Sequence, residues 1–386
     1  MLAARVGLRL GRRCSRYRRQ TSCRRIFRHS STDREVFGGS AGTQPQPISE
    51  EGIAAALKVL RSGNLHRYGA TPGNPSEVAL LEEELAAAMG TQYALAVASG
   101  GYAIVTALRA LGVGPGDEVL TNAWTLAPVP GAVAAVGAVP VMVEVTEGLV
   151  LDLDDLAAKA AARPECRVVL VSHMRGHMVD MDRLMAVCDR AGLKVIEDCA
   201  HTMGARWGDR LSGTWGAIGC YSTQTYKHVN SGEGGLMVSN DSDAMAKAVV
   251  YSGSYMMYGT HSAAPPPSAF ETIRLETPNI SGRMDNLRAA ILRPQLRELA
   301  TDNFARNLRY KTLEESLRGT RGMTLIERPS DEHYVGSSFQ FLLLDCDPAI
   351  PQMVLDGCGA RGVSLQWFGG AEVREIHLRK ARFSPK

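Results

Sequence analysis

Lys227 ends a hydroxyl-rich run, Ser222-Thr223-Gln224-Thr225-Tyr226, and is soon followed by a glycine-rich one, Ser231-Gly232-Glu233-Gly234-Gly235. A lone lysine is ordinarily a surface residue. This one lies between a β-like stretch and a turn that leads into another apolar strand, Leu236-Met237-Val238. An amine buried beside apolar or cationic groups loses affinity for its proton, which frees its lone pair to attack a carbonyl carbon; that is the chemistry of a Schiff-base lysine. A second run, Val195-Ile196-Glu197-Asp198-Cys199-Ala200-His201, sets an acid at the end of an apolar strand with a histidine one turn on. Such an acid is often only a turn-former, and such a histidine only a packed or surface one. A carboxylate there can also keep a pyridine ring nitrogen protonated, which turns the ring into an electron sink. A third run, Val97-Ala98-Ser99-Gly100-Gly101, brings a strand end into a helix start. Backbone N–H groups at a helix N-terminus bind phosphate, and glycine permits close approach. By itself this turn is as easily structural, and it carries neither a G-K-[ST] continuation nor the spaced glycines of a dinucleotide site.

The surrounding elements explain how these runs would meet. Ser49 to Leu60 reads as an amphipathic helix with a serine cap, and Ser76 to Met89 as another, ended by Gly90. Strands then alternate with helices. The strands are Tyr93–Ala98, Glu118–Thr121, Val141–Val145, Val168–Ser172 and Lys194–Glu197. The helices between them are Gly101–Leu111, Val129–Val136, Leu153–Ala162 and Met181–Ala191. That alternation, with nearly all-apolar strands, predicts an α/β fold: a mainly parallel sheet covered by helices on both faces. Open parallel sheets bind ligands beyond the carboxyl ends of their strands, which is where all three runs sit. The expected organisation is a leader at 1–32, a linker at 33–47, a large domain at 48–255 and a smaller α+β domain at 256–386.

Together these motifs resemble the DegT/DnrJ/StrS family of sugar aminotransferases, of aspartate-aminotransferase fold type I. The resemblance runs from about Leu60 to about Leu299. It rests on Glu197-Asp198-Cys199-Ala200-His201 with Gly204-Ala205, on Tyr226-Lys227-His228 with the glycine run, and on Arg283-Met284-Asp285-Asn286-Leu287 with Ala289-Ala290 and Gln295-Leu296. It implies that pyridoxal 5'-phosphate (PLP) is the cofactor and Lys227 its covalent anchor and catalytic base. Asp198 would hold the ring nitrogen, His201 would lie near the ring hydroxyl, and Trp124 would stack on the ring. Ser222, Gly100 and Gly101 would take the phosphate. It further implies a homodimer in which Asn279 or Ser281 reaches the partner's phosphate. The substrates would be an amino acid donor, glutamate or glutamine, and a keto-sugar or keto-cyclitol acceptor. Two departures stand out. Gly101 occupies a place where the family usually has threonine, and Ser281 stands where it usually has asparagine. The chain also ends soon after His377, earlier than the family's small domain usually ends, which reads either as a shortened protein or as an incomplete gene model.

Composition bounds the alternatives. The 386 residues are 45% hydrophobic and 22% charged, ordinary for a globular protein, and no apolar run is long enough to span a membrane. Residues 1–32 hold ten arginines and no acid, so without them the net charge moves from +3 to −7. A basic, acid-free, serine-containing start reads as a transit peptide, mitochondrial before plastid, rather than a nucleic-acid-binding tail; without it the location would be cytoplasmic. The eight cysteines show neither zinc nor disulfide spacing, and several sit in apolar patterns. His173 and His177 have a helical metal spacing, yet they bracket a strand end and a Gly176 loop, so no metal is expected. Two further readings are a PLP-dependent sugar dehydratase or deoxygenase, which would carry histidine in place of the lysine, and a non-catalytic protein of the same fold. His228 beside Lys227 is the feature the first would use.

Overall fold

The computed structural model describes residues 47–69, 75–254, 256–343 and 349–367. The leader and all but the last residue of the linker lie outside the described residues. Contacts divide the chain into one unit of Ile48–Tyr310 with Arg328–Ser338, and another of Lys311–Glu327 with the described part of Phe339–Arg382.

The larger unit is built on a seven-stranded sheet of β1 (Tyr93–Val97), β2 (Glu118–Asn122), β3 (Val139–Val143), β4 (Val168–Ser172), β5 (Lys194–Asp198), β8 (Ile218–Ser222) and β9 (Gly235–Ser239), in the order β1-β9-β8-β5-β4-β2-β3. Two short strands, β6 (Arg206–Trp207) and β7 (Arg210–Leu211), belong to a separate small sheet with β11 (Glu332–His333). β2, β3, β4, β5 and β8 are parallel, whereas β9 runs antiparallel to both β8 and β1. The sheet is therefore mainly parallel, as its apolar strands predicted, with one reversed strand.

Alternation along the strands loads both faces. In β1, Leu95 and Val97 enter one apolar cluster while Ala94 and Ala96 enter another. In β4, Val168 and Leu170 take the first, and Val169 and Val171 a third. Successive side chains of a strand point to opposite faces, so each apolar run must be covered twice. The covering helices are α1 (Glu50–Ser62), α2 (Glu77–Met89), α3 (Gly100–Ala110), α4 (Pro128–Ala135), α5 (Leu153–Ala161), α6 (Met181–Ala191) and α7 (Ser242–Tyr251). Their starts are local: Ser49, Ser76, Ser99, Asp152, Asp180 and Asp241 each accept a backbone N–H with a side-chain oxygen, a cap worth about 1 kcal/mol. Leu120 and Leu170 are fully buried, and cutting such a leucine to alanine costs about 2–5 kcal/mol.

Residues beyond 255 remain in this unit well past the expected boundary. Phe270 and Ile273 join the first apolar cluster, and Ala289, Ala290, Leu292 and Leu296 join the second. These residues bury their side chains against the sheet's helices, which is why the unit extends to Tyr310. A short helix, α8 (Ile273–Glu276), precedes the long α9 (Asn286–Leu317). The smaller unit holds the pair β10 (Thr324–Leu325) and β12 (Phe341–Leu342) with α10 (Ile350–Gly359). It is α+β, as expected.

Candidate active site

The strand directions bring the three chemical runs to one edge of the sheet. β1 ends at Val97, β5 at Asp198 and β8 at Ser222. The reversed β9 begins at Gly235, opposite both Val97 and Ser222. At this edge the backbone is close-packed. A Cβ on Gly100 would lie 2.8 Å from Cβ of Ser222, so only glycine lets the start of α3 approach the end of β8 this closely. The first N–H groups of a helix have no partner inside it, so α3 presents donors beside the Ser222 hydroxyl. Gly101 differs: a Cβ there would meet nothing nearer than 3.9 Å. The hydroxyl that the resemblance expects at this position is missing, but room for it exists.

Lys227 lies in a wide loop between β8 and β9. Cross-loop bonds pin this loop, Thr223 N to Gly234 O at 2.9 Å and Ser231 N to Thr223 O at 2.9 Å. Gln295 on α9 clamps it from outside. Its amide accepts from Asn230 N and donates to Asn230 O, both at 2.8 Å. The loop carries Nζ of Lys227 to 3.1 Å from Nε2 of His201. Burial lowers the Lys227 pKa; nearby Asp198 works against this and Arg175 adds to it. The same burial, with the positive charges of Lys227 and Arg175 and the neighbouring His228, drives His201 down to about 2. His201 is therefore a neutral acceptor toward the lysine. Arg175 itself sits in the left-handed backbone region, with φ 58, in the turn after β4.

Asp198 is buried at the end of β5. Its Oδ1 accepts Ala200 N–H at 3.1 Å and its Oδ2 accepts the Ser172 hydroxyl at 2.9 Å. Its neighbour Glu197, fully buried, has a different task. It accepts the backbone N–H groups of Gly213, Trp215 and Gly216, each at 2.8 Å, and stands 3.2 Å from Nε2 of His173. Glu197, His173 and Cys199 cluster within 4.8 Å, but the Glu197 carboxylate is already spent on the 213–216 turn.

Trp124 follows β2 and is half-buried, next to Thr125, which bonds the end of β4. The structure thus brings Lys227, His201 and Asp198 together, sets Gly100 against Ser222, and puts Trp124 at the same sheet edge. Asn279 and Ser281 are exposed. Their segment is tied down through Ile280 N to Tyr251 O and Gly282 N to Ser252 O, both at 3.0 Å. The Arg-Met motif beside them is structural: Arg283 bridges to Val97, and Asn286 bonds Asn64 O, His66 O and Val78 N. His228, adjacent to the lysine, places its Nε2 3.1 Å from Ser337 Oγ.

The sequence pattern of the DegT/DnrJ/EryC1/StrS aminotransferase family matches residues 46–354. The L-glutamine:2-deoxy-scyllo-inosose aminotransferase of Streptoalloteichus tenebrarius is 33% identical over 287 residues, covering 72% of this chain and 66% of that protein. The dTDP-3-amino-3,4,6-trideoxy-alpha-D-glucose transaminase of Streptomyces venezuelae is 34% identical over 281 residues, 72% and 69% of the two chains. Against a third relative, also from S. tenebrarius, coverage of the other protein falls to 52%, so the chain spans about half to two thirds of the curated relatives it matches. Among solved structures, S. venezuelae DesV in complex with a ketimine intermediate superposes with a TM-score of 0.70 at 28% identity, covering 86% of this chain and 87% of that one.

Proposed function

The chain belongs to the DegT/DnrJ/EryC1/StrS aminotransferase family, and from that premise we propose that it moves an amino group from glutamate or glutamine to a keto-sugar or keto-cyclitol with PLP as cofactor. The observation that carries this is the Lys227 amine, depressed in pKa and 3.1 Å from a neutral His201, beside a buried Asp198 at the same sheet edge. The residues present fit that cofactor. Lys227 supplies an amine for covalent attachment and Asp198 a carboxylate for the ring nitrogen. His201 supplies a neutral imidazole near the ring hydroxyl, and Trp124 a flat face. The glycine-tight cradle between α3 and Ser222, with its helix N-terminus, suits a phosphate. When bound, PLP supplies an electron sink for the carbon that bears the amino group. Nζ of Lys227, released from its proton more easily than a free lysine, would carry a proton between that carbon and the cofactor carbon that shares the amino nitrogen with it. Asp198 keeps its proton partner charged, and neutral His201 orients the amine without competing for its proton.

The dehydratase reading needs a histidine in the lysine's place, and His228 is committed to Ser337. A non-catalytic protein of the same fold would need no phosphate site, whereas the backbone cradle between Gly100 and Ser222 is present here. Single-turnover half-reactions test the proposal: conversion of bound PLP to its amino form by glutamate or glutamine, then its reversal by a panel of keto-sugars and keto-cyclitols. No conversion by any amino acid would rule it out.

The same reading includes a homodimer in which Asn279 or Ser281 reaches the partner's cofactor phosphate, and a leader at 1–32 that directs the chain to an organelle, mitochondrion first. Cell fractionation of a chain lacking residues 1–32 checks the leader; it should be active and cytosolic.

A further inference from the structure

Asp198 does not stand alone at the end of β5. Ser172, its register partner on β4, donates its hydroxyl to Asp198 Oδ2 at 2.9 Å. Thr125 donates in turn to Ser172 Oγ at 2.8 Å. Thr125, Ser172 and Asp198 are all buried, so little water competes for these bonds. Ser172 is also fixed through its backbone. The β2–β4 ladder ends at Thr121 and Leu170, and beyond it the Asn122 side chain takes over. Asn122 Oδ1 accepts Ser172 N–H at 2.9 Å, and its Nδ2 donates to Ser172 O at 3.0 Å.

We infer that Thr125 and Ser172 form a directed hydroxyl chain that holds the Asp198 carboxylate in one orientation for the cofactor's ring nitrogen. The inference rests on the PLP reading above. Chained hydroxyls polarise one another. With Ala200 N–H on Oδ1 and Ser172 on Oδ2, the carboxylate cannot rotate without losing a bond, while lone pairs remain for a ring N–H. Ser172 and Thr125 touch neither substrate nor cofactor in this scheme; they are positioning residues that act through Asp198.

The test is binding rather than turnover. Apo protein is titrated with PLP and with an analogue that carries carbon in place of the ring nitrogen, and affinity is read from protein fluorescence. Ser172→Ala should weaken PLP binding by about tenfold, and Thr125→Val, which keeps the shape and leaves Asp198 untouched, by about threefold. Both variants should bind the analogue as the unchanged protein does. Ser172→Thr should restore PLP affinity. Equal losses for PLP and the analogue would reduce the pair to ordinary core packing and overturn the inference, as would unchanged PLP affinity in both variants. If Ser172→Ala fails to fold, Thr125→Val carries the same comparison. An unchanged protein that binds no PLP sinks the cofactor reading itself, a distinct outcome from the other two.

Discussion

Nζ of Lys227 stands 3.1 Å from Nε2 of His201, and burial, with the lysine's charge next, depresses the histidine's hold on a proton. The lysine is the group that must lose its proton to act, and burial together with Arg175 helps it do so. Lys227→Ala should therefore abolish amino transfer by several orders of magnitude and leave no cofactor fixed to the protein after borohydride reduction. The fold should survive, because the side chain is only part-buried and its removal opens no core. Turnover near normal in that variant would end the assignment of Lys227.

Asp198→Asn replaces a charge with an isosteric amide. The phosphate cradle at Gly100 and Ser222 is untouched, so PLP should still bind, more weakly. The rate should fall by orders of magnitude, since an amide does not keep the ring nitrogen protonated. A variant with lowered thermal stability but an unchanged rate per folded molecule would make Asp198 a structural residue.

How much of this was legible without coordinates depends on distance along the chain. Lys227, Asp198, His201 and Ser222 lie within short motifs, and the structure sets Lys227 beside His201 and Ser222 against Gly100. The helix starts were legible too, because a serine or aspartate cap is a local event. Contacts across the sheet were not. Ser172 meets Asp198 across 26 positions and Gln295 clamps Asn230 across 65, and nothing in either segment's periodicity points to the other. The reversal of β9 was also hidden, since a doubly buried strand is apolar whichever way it runs. The boundary at 255 followed from the end of the strand–helix alternation, whereas burial of Phe270 and Leu292 carries the unit onward.

Acid should weaken the fold through two histidines that burial keeps neutral, half-buried His201 and buried His228, and through one buried acid, Glu82. Burial first, then neighbouring charges, lowers His201 to about 2 and His228 to about 3 from an ordinary 6.5. Below about 6.5 the unfolded chain binds protons that the folded chain refuses, so stability falls as pH drops through that window. Glu82 works in the same direction. Burial opposes its ionisation, but Arg67, at 2.8–2.9 Å, and His261 hold it at about 2. Its contribution is present above about 4.5 and lost as pH falls toward 2. Urea unfolding should show stability falling by about 1.4 kcal/mol per pH unit for each neutral histidine below about pH 6. His228→Asn should remove one histidine's share of that slope; an unaltered slope would mean that His228 is charged in the fold.

The last prediction concerns assembly. Between residues 256 and 281 the larger unit exposes Met256 at 71%, Leu275 at 79% and Ile280 at 44%, beside exposed Asn279 and Ser281. Large apolar side chains facing water in one stretch are characteristic of a surface that another chain covers. A two-fold dimer is the commonest closed arrangement, with the same patch used by both copies. If Asn279 or Ser281 reaches the partner's phosphate, PLP binds the dimer more tightly than the monomer and must stabilise it by mass action. Sedimentation of purified protein should then show a dimer whose dissociation constant falls on adding PLP. Ser281→Ala with Asn279→Ala should weaken both PLP binding and its effect on association, while Leu275→Glu should weaken association and, through it, PLP affinity. A monomer that binds PLP tightly and turns over would refute the shared site, because every phosphate contact would then come from one chain.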